Sequence, residues 1–420
     1  MLRRWELAQG VDATGLGFGD RFQNVIEAAH ERSGHRVVVL VDEYDKPLLD
    51  AMDNPVMEEH NRAVLKAFYS ILKDVDKHLK LVFITGVTKF SKISIFSDFN
   101  QLRDISLERE YAGICGVTEP ELLRDLRPEL SGLGSQLSLG DDGCLKALRE
   151  HYDGYCFHPD GPGVLAERRL RCVYNPFSLL RALQERRLGS WWFETGTPTF
   201  LARRVRAWGF EPREFSDGTI EAEEERLQDF RADDPDPVPL LFQAGYLTIR
   251  GRDADGVFEL GVPNGEVERG LVRSLLPAWA PAYGARRGID VLTLRRCVEL
   301  GDADGMRDVI RALFASIPYT RADDPFENYF QTVLWLIFTL LGYYVSCEIH
   351  QAQGRVDCVI ETASHVYVME LKRDGTTAEA LAQILKLGYA APYAADRRQL
   401  HLIGASFDST TRQLAAWEQR

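Results

Sequence analysis

Two hydrophobic periods alternate along this chain, and the places where one gives way to the other mark its elements. Residues 11–32 read as a loop followed by an amphipathic helix, with Phe22, Val25, Ile26 and Ala29 at helical spacing. Residues 37–41 form an unbroken apolar run, the pattern of a strand covered on both faces. A helix is expected over 61–75 and a second buried strand over 81–85. From Glu119 the pattern changes to short helices and turns, opened by Thr118 and Glu121 at capping-box spacing. Residues 229–239 are acidic and contain proline, which predicts an exposed loop, and LLFQAGYLTIR with VFELGVPN predicts a small hairpin after it. Residues 290–313 give two helices with Gly301 and Gly305 between them.

The last hundred or so residues carry the strongest pattern. Residues 326–341 are an apolar helix with one acid, Glu327, near its start, and 343–348 read as a strand. Two further strands, 355–360 and 366–372, are rich in Val, Ile and Tyr and are separated by a polar link containing Ala363 and Ser364. A tight turn at those two residues sets Asp357 directly opposite Glu370, and alternation puts Lys372 on the face of Glu370. Cross-strand Cβ atoms lie only ~5 Å apart, so the two carboxylates repel unless a positive group sits between them. A divalent metal meets that need, with Lys372 beside it. A helix over 377–387 brings Gln383 back toward the strand ends, with Tyr389 and Tyr393 behind, and a strand over 401–405 completes the sheet. The plain structural alternative is a diagonal network needing no metal, in which Arg355 pairs with Glu370 and Lys372 with Asp357.

Composition narrows the setting. A chain of 420 residues, 45% of them hydrophobic, is long enough for two or three domains. No apolar run approaches a membrane span, and the start, MLRRWELAQG, lacks the apolar stretch of a secretory signal, so a cytoplasmic protein is expected. The seven cysteines lack C-x-x-C spacing, which predicts reduced, mostly packed thiols rather than a disulfide framework or a zinc site. A net charge of −13 argues against a generic polyanion-binding surface and leaves room for a local basic groove. Beyond Lys146 the only lysines are Lys372 and Lys386, while arginine is abundant. A chain that otherwise chooses arginine thus keeps a compact ammonium beside the paired acids.

Other features weigh less. Gly15 to Asp20, GLGFGD, lacks the Gly-Lys-Ser/Thr ending of a phosphate loop and reads as a turn. His151, His158 and Asp160 have no spacing that fixes a metal geometry, and the arginine runs at 167–171 and 202–206 are expected to be solvated helix faces more than phosphate contacts.

Asp357, Glu370-Leu371-Lys372 and Gln383 together resemble the PD-(D/E)XK nuclease superfamily. A longer resemblance covers most of the chain: VVVLVDEYDKPL, LVFITGVTKFSKISIFSDFNQLRDIS, YDGYCF, VYNPFSLL, WWFETGTPTFL, LLFQAGYLTI and FELGVPNGEV are similar to bacterial AAA-ATPase-like proteins with such a C-terminal nuclease domain. The resemblance implies an α/β protein in three parts: a partial P-loop NTPase-like parallel sheet over 1–115, a helical middle region over 116–300, and a restriction-endonuclease-like α/β domain over 301–420. Within it, Asp42 and Glu43 match the Walker B acids and Thr85 the sensor position, with Lys89 and Lys92 in the following loop. The aromatic blocks of the middle region imply packing and sharp chain reversals more than chemistry. No G-x-x-x-x-G-K-[ST] occurs in the chain, and in that family the loop lies upstream, so Asp42 and Glu43 are expected to be structural relics here and ATP to bind only if an upstream segment supplies the loop. A late gene start, a split gene or a truncated copy are the readings of that gap, and each predicts a sheet lacking flanking strands and prone to association at its edge.

The function implied is a magnesium-dependent DNA phosphodiesterase: Asp357 and Glu370, with a backbone carbonyl near Leu371 and Glu327 as further donors, bind Mg²⁺ through hard oxygens, Lys372 orients water or stabilises developing charge, and Gln383 holds Lys372 or the water in place. The alternative is a nucleotide-dependent regulatory or interaction protein with an inactive nuclease fold. Partners are then nucleic acid, DNA foremost, and a second copy or an upstream ATPase segment, with no membrane.

Overall fold

The computed structural model describes residues 1–12, 14–52, 54–89, 102–158, 172–194, 205, 220–228, 236–279, 289–315, 326–342, 346–349, 357–411 and 413–420. Its contacts divide into two compact units, one formed by residues 1–126, 153–175 and 219–263, the other by 127–152, 176–218 and 264–420.

In the first unit, helix α1 (Leu2–Gln9) ends at Gly10 in the left-handed conformation, and α2 (Phe18–Ser33) starts straight after the glycine turn at residues 15–17. Glu6 and Arg21 join the two helices through paired bonds of 2.6 and 2.8 Å; beyond a short helix α3 (Lys46–Leu49), α4 (Pro55–Asp74) carries Phe68, on which Phe22 stacks at 4.8 Å. Strand β1 (Val37–Val41) pairs in parallel with β2 (Leu79–Ile84), Leu40 opposite Phe83. The expectation of a strand covered on both faces is not met. Val38 is 47% exposed, Leu40 71% and Leu81 52%, while Val39 is buried. Among the described residues the sheet has two strands only, so one face of the alternation stays open.

Elsewhere in this unit β3 (Ile220–Ala222), β4 (Thr248–Arg252) and β5 (Phe258–Gly261) form an antiparallel sheet in the order β3-β5-β4, so the hairpin gains a third strand. The loop expected to run to residue 239 stops earlier, and its first part, 229–235, lies outside the described residues. Val238–Gln243 is a helix with Val238, Pro239, Leu240 and Leu241 buried, because the apolar run LLF packs inward instead of extending the hairpin. The expected capping box forms: Thr118 caps the helix Glu119–Asp125, with Glu121 answering it.

The cysteines depart from expectation as well. Tyr155 and Val173 exchange backbone hydrogen bonds in an antiparallel bridge, and this sets Cys156 and Cys172 opposite one another, Cα atoms 4.4 Å apart, joined as a disulfide. Sequence spacing carries no trace of that pairing, because residues 16 apart meet only once the bridge forms.

The second unit holds several helices and one five-stranded sheet. Helices α5 (Gly265–Trp279), α6 (Ile289–Leu300), α7 (Ala303–Ala315) and α8 (Phe326–Gly342) precede strands β6 (Ser346–Ile349), β7 (Cys358–Glu361) and β8 (His365–Arg373). Helix α9 (Thr377–Lys386) then leads to β9 (Gln399–Asp408) and β10 (Gln413–Gln419). The sheet order is β10-β9-β8-β7-β6, with β8 and β9 parallel and every other pair antiparallel. Both faces are covered. On one, Leu381 and Ile384 of α9 pack on Val359, Val366 and Val368. On the other, Phe314 of α7 meets Phe407 edge-on at 5.4 Å, and the Tyr367 hydroxyl donates to the Val298 carbonyl of α6 at 2.8 Å. Strand β10 had no counterpart in the sequence reading, since LAAWEQ offers little apolar alternation.

Candidate functional site

The β7–β8 hairpin turns at Ala363 and Ser364, with the Thr362 N–H donating to the His365 carbonyl at 2.9 Å. Cys358 faces Met369 and Glu361 faces Val366, and continuing that register by one residue sets Asp357 opposite Glu370, as the two-residue turn predicts. Alternation places Asp357 and Val359 of one strand, and Val368, Glu370 and Lys372 of the next, on the face covered by α9.

Three of the expected side chains, Glu370, Lys372 and Gln383, bond one another there, and Asp357 on the same face is tied to the backbone. The Leu371 N–H donates to Asp357 Oδ2 at 2.7 Å. Lys372 Nζ donates to Glu370 Oε1 at 2.9 Å and to Gln383 Oε1 at 2.6 Å. Gln383 reaches this point because the β8–α9–β9 crossover folds the helix back over its own strand, with Thr376 and Glu379 forming a capping box at the helix start. Of the two diagonal pairs in the structural alternative, the one between Lys372 and Asp357 does not form, since Lys372 pairs with Glu370 instead. Arg355 lies outside the described residues.

Two features carry the electrostatics. Glu370 is 2% exposed, and its Oε2 has no hydrogen-bond partner among the described residues. A buried carboxylate oxygen left so is costly. Burial pushes the Asp357 carboxyl up to about 6, the Leu371 N–H opposing this, Glu370 adding to it and Lys372 easing it. Two acids thus share a dry face with one ammonium.

The remaining candidates are not all placed. Glu327 sits on α8, but its side chain is outside the described residues. Among the described residues no three His, Cys, Asp or Glu side chains converge as a metal-ligand group. His151 is tied to the Ala147 carbonyl at 2.9 Å, and Asp160, Lys92 and the arginine runs at 167–171 and 202–206 fall wholly or almost wholly outside the described residues.

In the first unit Thr85 Oγ1 donates to Asp42 Oδ1 at 2.7 Å, so the strand-end acid and the polar residue of the next strand do meet. Glu43 has a φ of 53°, in the left-handed region. Asp45, two residues beyond Glu43, has a distinct place: fully buried, it accepts from the backbone N–H of Val87 at 3.0 Å and of Thr88 at 2.6 Å, and from Thr88 Oγ1 at 2.8 Å. Lys89 pairs with Asp104 at 2.8 Å.

An α/β/α sheet of this order, with an acid before one strand and E-x-K within the next, has the form of a restriction-endonuclease-like core. Residues 325–417 match the family model described as PD-(D/E)XK nuclease superfamily, and residues 2–96 match the one described as Predicted AAA-ATPase. The chain belongs to the family of AAA-ATPase-like proteins that carry a C-terminal domain of the PD-(D/E)XK nuclease superfamily. It is 34% identical over 429 residues to a protein of Azotobacter chroococcum mcd 1 described as "Uncharacterized protein in vnfD 5'region", spanning 98% of this chain and 77% of that one. No solved structure matches the chain. Among the described residues no helix is long and apolar enough to cross a membrane.

Proposed function

We propose that the C-terminal domain is a magnesium-dependent phosphodiesterase acting on DNA, with Asp357, Glu370, Lys372 and Gln383 as its working residues. The observation that carries this reading is the Oε2 of a buried Glu370, without a hydrogen-bond partner among the described residues, on the same sheet face as an acid directly across the hairpin. Hard carboxylate oxygens suit Mg²⁺. Asp357 and Glu370 would hold the cation, with Glu327 of α8 as a third donor, and the ion when bound supplies Lewis-acid charge at a phosphoryl oxygen. Lys372, fixed by two hydrogen bonds, presents its ammonium at the end of β8, where it stabilises charge building on the phosphate. Gln383 holds that ammonium in place, and Asp357, whose carboxyl is raised by burial to about 6, is held in its ionised form to lower pH when a cation is bound.

The test is cleavage of supercoiled plasmid, single-stranded DNA and RNA with and without Mg²⁺, comparing the parent chain with Asp357→Ala and Lys372→Ala. Metal-dependent DNA cleavage that drops by about 10² or more in both variants supports the proposal. Equal activity in all three chains, or none in any, rejects it.

The Asp42–Thr85 contact favours a second reading for the first unit, a nucleotide-responsive regulatory module. Asp42 and Glu43 have no phosphate-cradling loop in this chain to act with, so nucleotide binding is expected only with a segment that provides one. Tight ATP binding by the chain as it stands overturns that expectation.

A further inference from the structure

The turn between β8 and α9 is tied to the sheet by bonds unrelated to any metal or phosphate. Ser406 of β9 is buried and lies opposite Lys372 in the parallel register. Its hydroxyl donates to the Gly375 carbonyl at 2.5 Å. One residue earlier, the Asp374 N–H donates to the Phe407 carbonyl at 2.8 Å, and Asp374 Oδ1 accepts from the Ser409 N–H at 2.7 Å. These bonds hold Asp374 in the left-handed region at φ 52°, which a residue with a Cβ adopts only when its surroundings impose it.

Gly375 is pressed against the very side chain at issue. A Cβ there would stand 3.1 Å from Lys372 Cβ and 3.1 Å from Glu379 Oε2. The turn therefore packs on the stem of Lys372 and, through the Thr376 cap, sets where α9 begins. That start in turn decides whether Gln383 arrives within 2.6 Å of Lys372 Nζ.

We infer that Ser406 is a positioning residue for Lys372: its bond to Gly375 fixes the turn that braces the lysine stem and delivers Gln383 to the ammonium. The inference rests on the phosphodiesterase reading for its functional consequence and on geometry alone for the placement of Lys372. Ser406 touches no reacting atom, and its effect passes through the backbone of the turn.

The experiment uses the full chain and the variants Ser406→Ala, Ser406→Thr, Gly375→Ala and Phe407→Leu. The Phe407 side chain packs on the opposite face of β9 from Ser406, so its truncation loosens the sheet while leaving in place the backbone bond from the Asp374 N–H to the Phe407 carbonyl. The first readout is the acetylation rate of Lys372 by acetic anhydride, measured by mass spectrometry against the exposed Lys386. It is expected to rise about threefold or more in Ser406→Ala and Gly375→Ala and to stay at the parental rate in Ser406→Thr and Phe407→Leu. The second is DNA cleavage, where Ser406→Ala is expected to lower kcat by about tenfold to a hundredfold with KM and the Mg²⁺ requirement unchanged, and Ser406→Thr to restore it. Parental Lys372 labelling in a folded Ser406→Ala chain overturns the inference; should that variant not fold, the same result in Gly375→Ala does so. Absence of cleavage in every chain refutes the phosphodiesterase reading and leaves the labelling to decide Ser406.

Discussion

Lys372 Nζ lies 2.6 Å from Gln383 Oε1, and this bond joins a strand to the helix that crosses back over it. Eleven residues separate the two along the chain, and the contact exists only because the capped helix returns along the face of β8. Gln383→Leu keeps the side-chain volume but removes the acceptor, leaving Glu370 as the single partner of Lys372 among the described residues. Cleavage is expected to fall by about tenfold to a hundredfold, while calorimetric Mg²⁺ affinity stays within about twofold, because Gln383 bonds the lysine and not the acids.

In the proposed phosphodiesterase, Asp357 is expected to make cation binding depend on pH. Its carboxyl, raised by burial from 3.8 to about 6, keeps its proton in the folded chain across that window while the unfolded chain loses it. The stability this proton contributes is therefore present below pH 3.8 and lost as pH rises through about 6. A bound cation compensates that loss. Mg²⁺ affinity is expected to be level above pH 7 and to fall by about tenfold per unit below pH 6, with proton uptake by buffer on binding. Calorimetry in two buffers of different ionisation enthalpy measures both. In Asp357→Asn the pH dependence disappears along with most of the affinity.

The acids that follow β1 separate by burial. Asp45 is sealed and serves three donors of the loop after β2, whereas the exposed Asp42 bonds one threonine hydroxyl. Asp45→Ala leaves the buried N–H and hydroxyl of Thr88 and the part-buried N–H of Val87 without their acceptor and is expected to cost about 3 kcal/mol or more of stability, against less than about 0.5 kcal/mol for Asp42→Ala. Thermal unfolding followed by circular dichroism distinguishes them. Equal shifts in the two variants contradict the structural assignment of Asp45.

At the far end of β8 from Lys372, His365 Nδ1 and His401 Nε2 are 3.0 Å apart. His401 is 1% exposed, stacks on Tyr367 at 4.5 Å and bonds Gln419 at 2.7 Å. Burial holds its imidazole below the usual 6.5, and the neighbouring His365 adds to the effect. The unfolded chain binds the proton more readily, so stability is full above 6.5 and declines as pH falls below it. The melting temperature of the parent is expected to drop between pH 7 and pH 5 by several degrees more than that of His401→Gln. A parallel drop in both chains rules out the histidine pair as its origin.

Much of the nuclease-like unit was legible because it depends on short-range rules. A period of two, a polar link of two residues and a fixed pleat determine that Asp357 faces Glu370, and in the first unit the capping box at Thr118 announces its helix locally. The sequence by itself also carried the family relationship, through blocks spread along the chain. What it left open depends on partners distant in sequence. Whether a strand such as 37–41 is covered on one face or two is decided by what packs beside it, and an unbroken apolar run reads the same either way. The Cys156–Cys172 pairing follows from a two-residue bridge that leaves no spacing signature. Tertiary structure alone gave Asp45 its buried role and brought Ser406 under the turn that braces Lys372, because hydrogen bonds between separate elements are set by where the backbone arrives, which residue types do not encode locally.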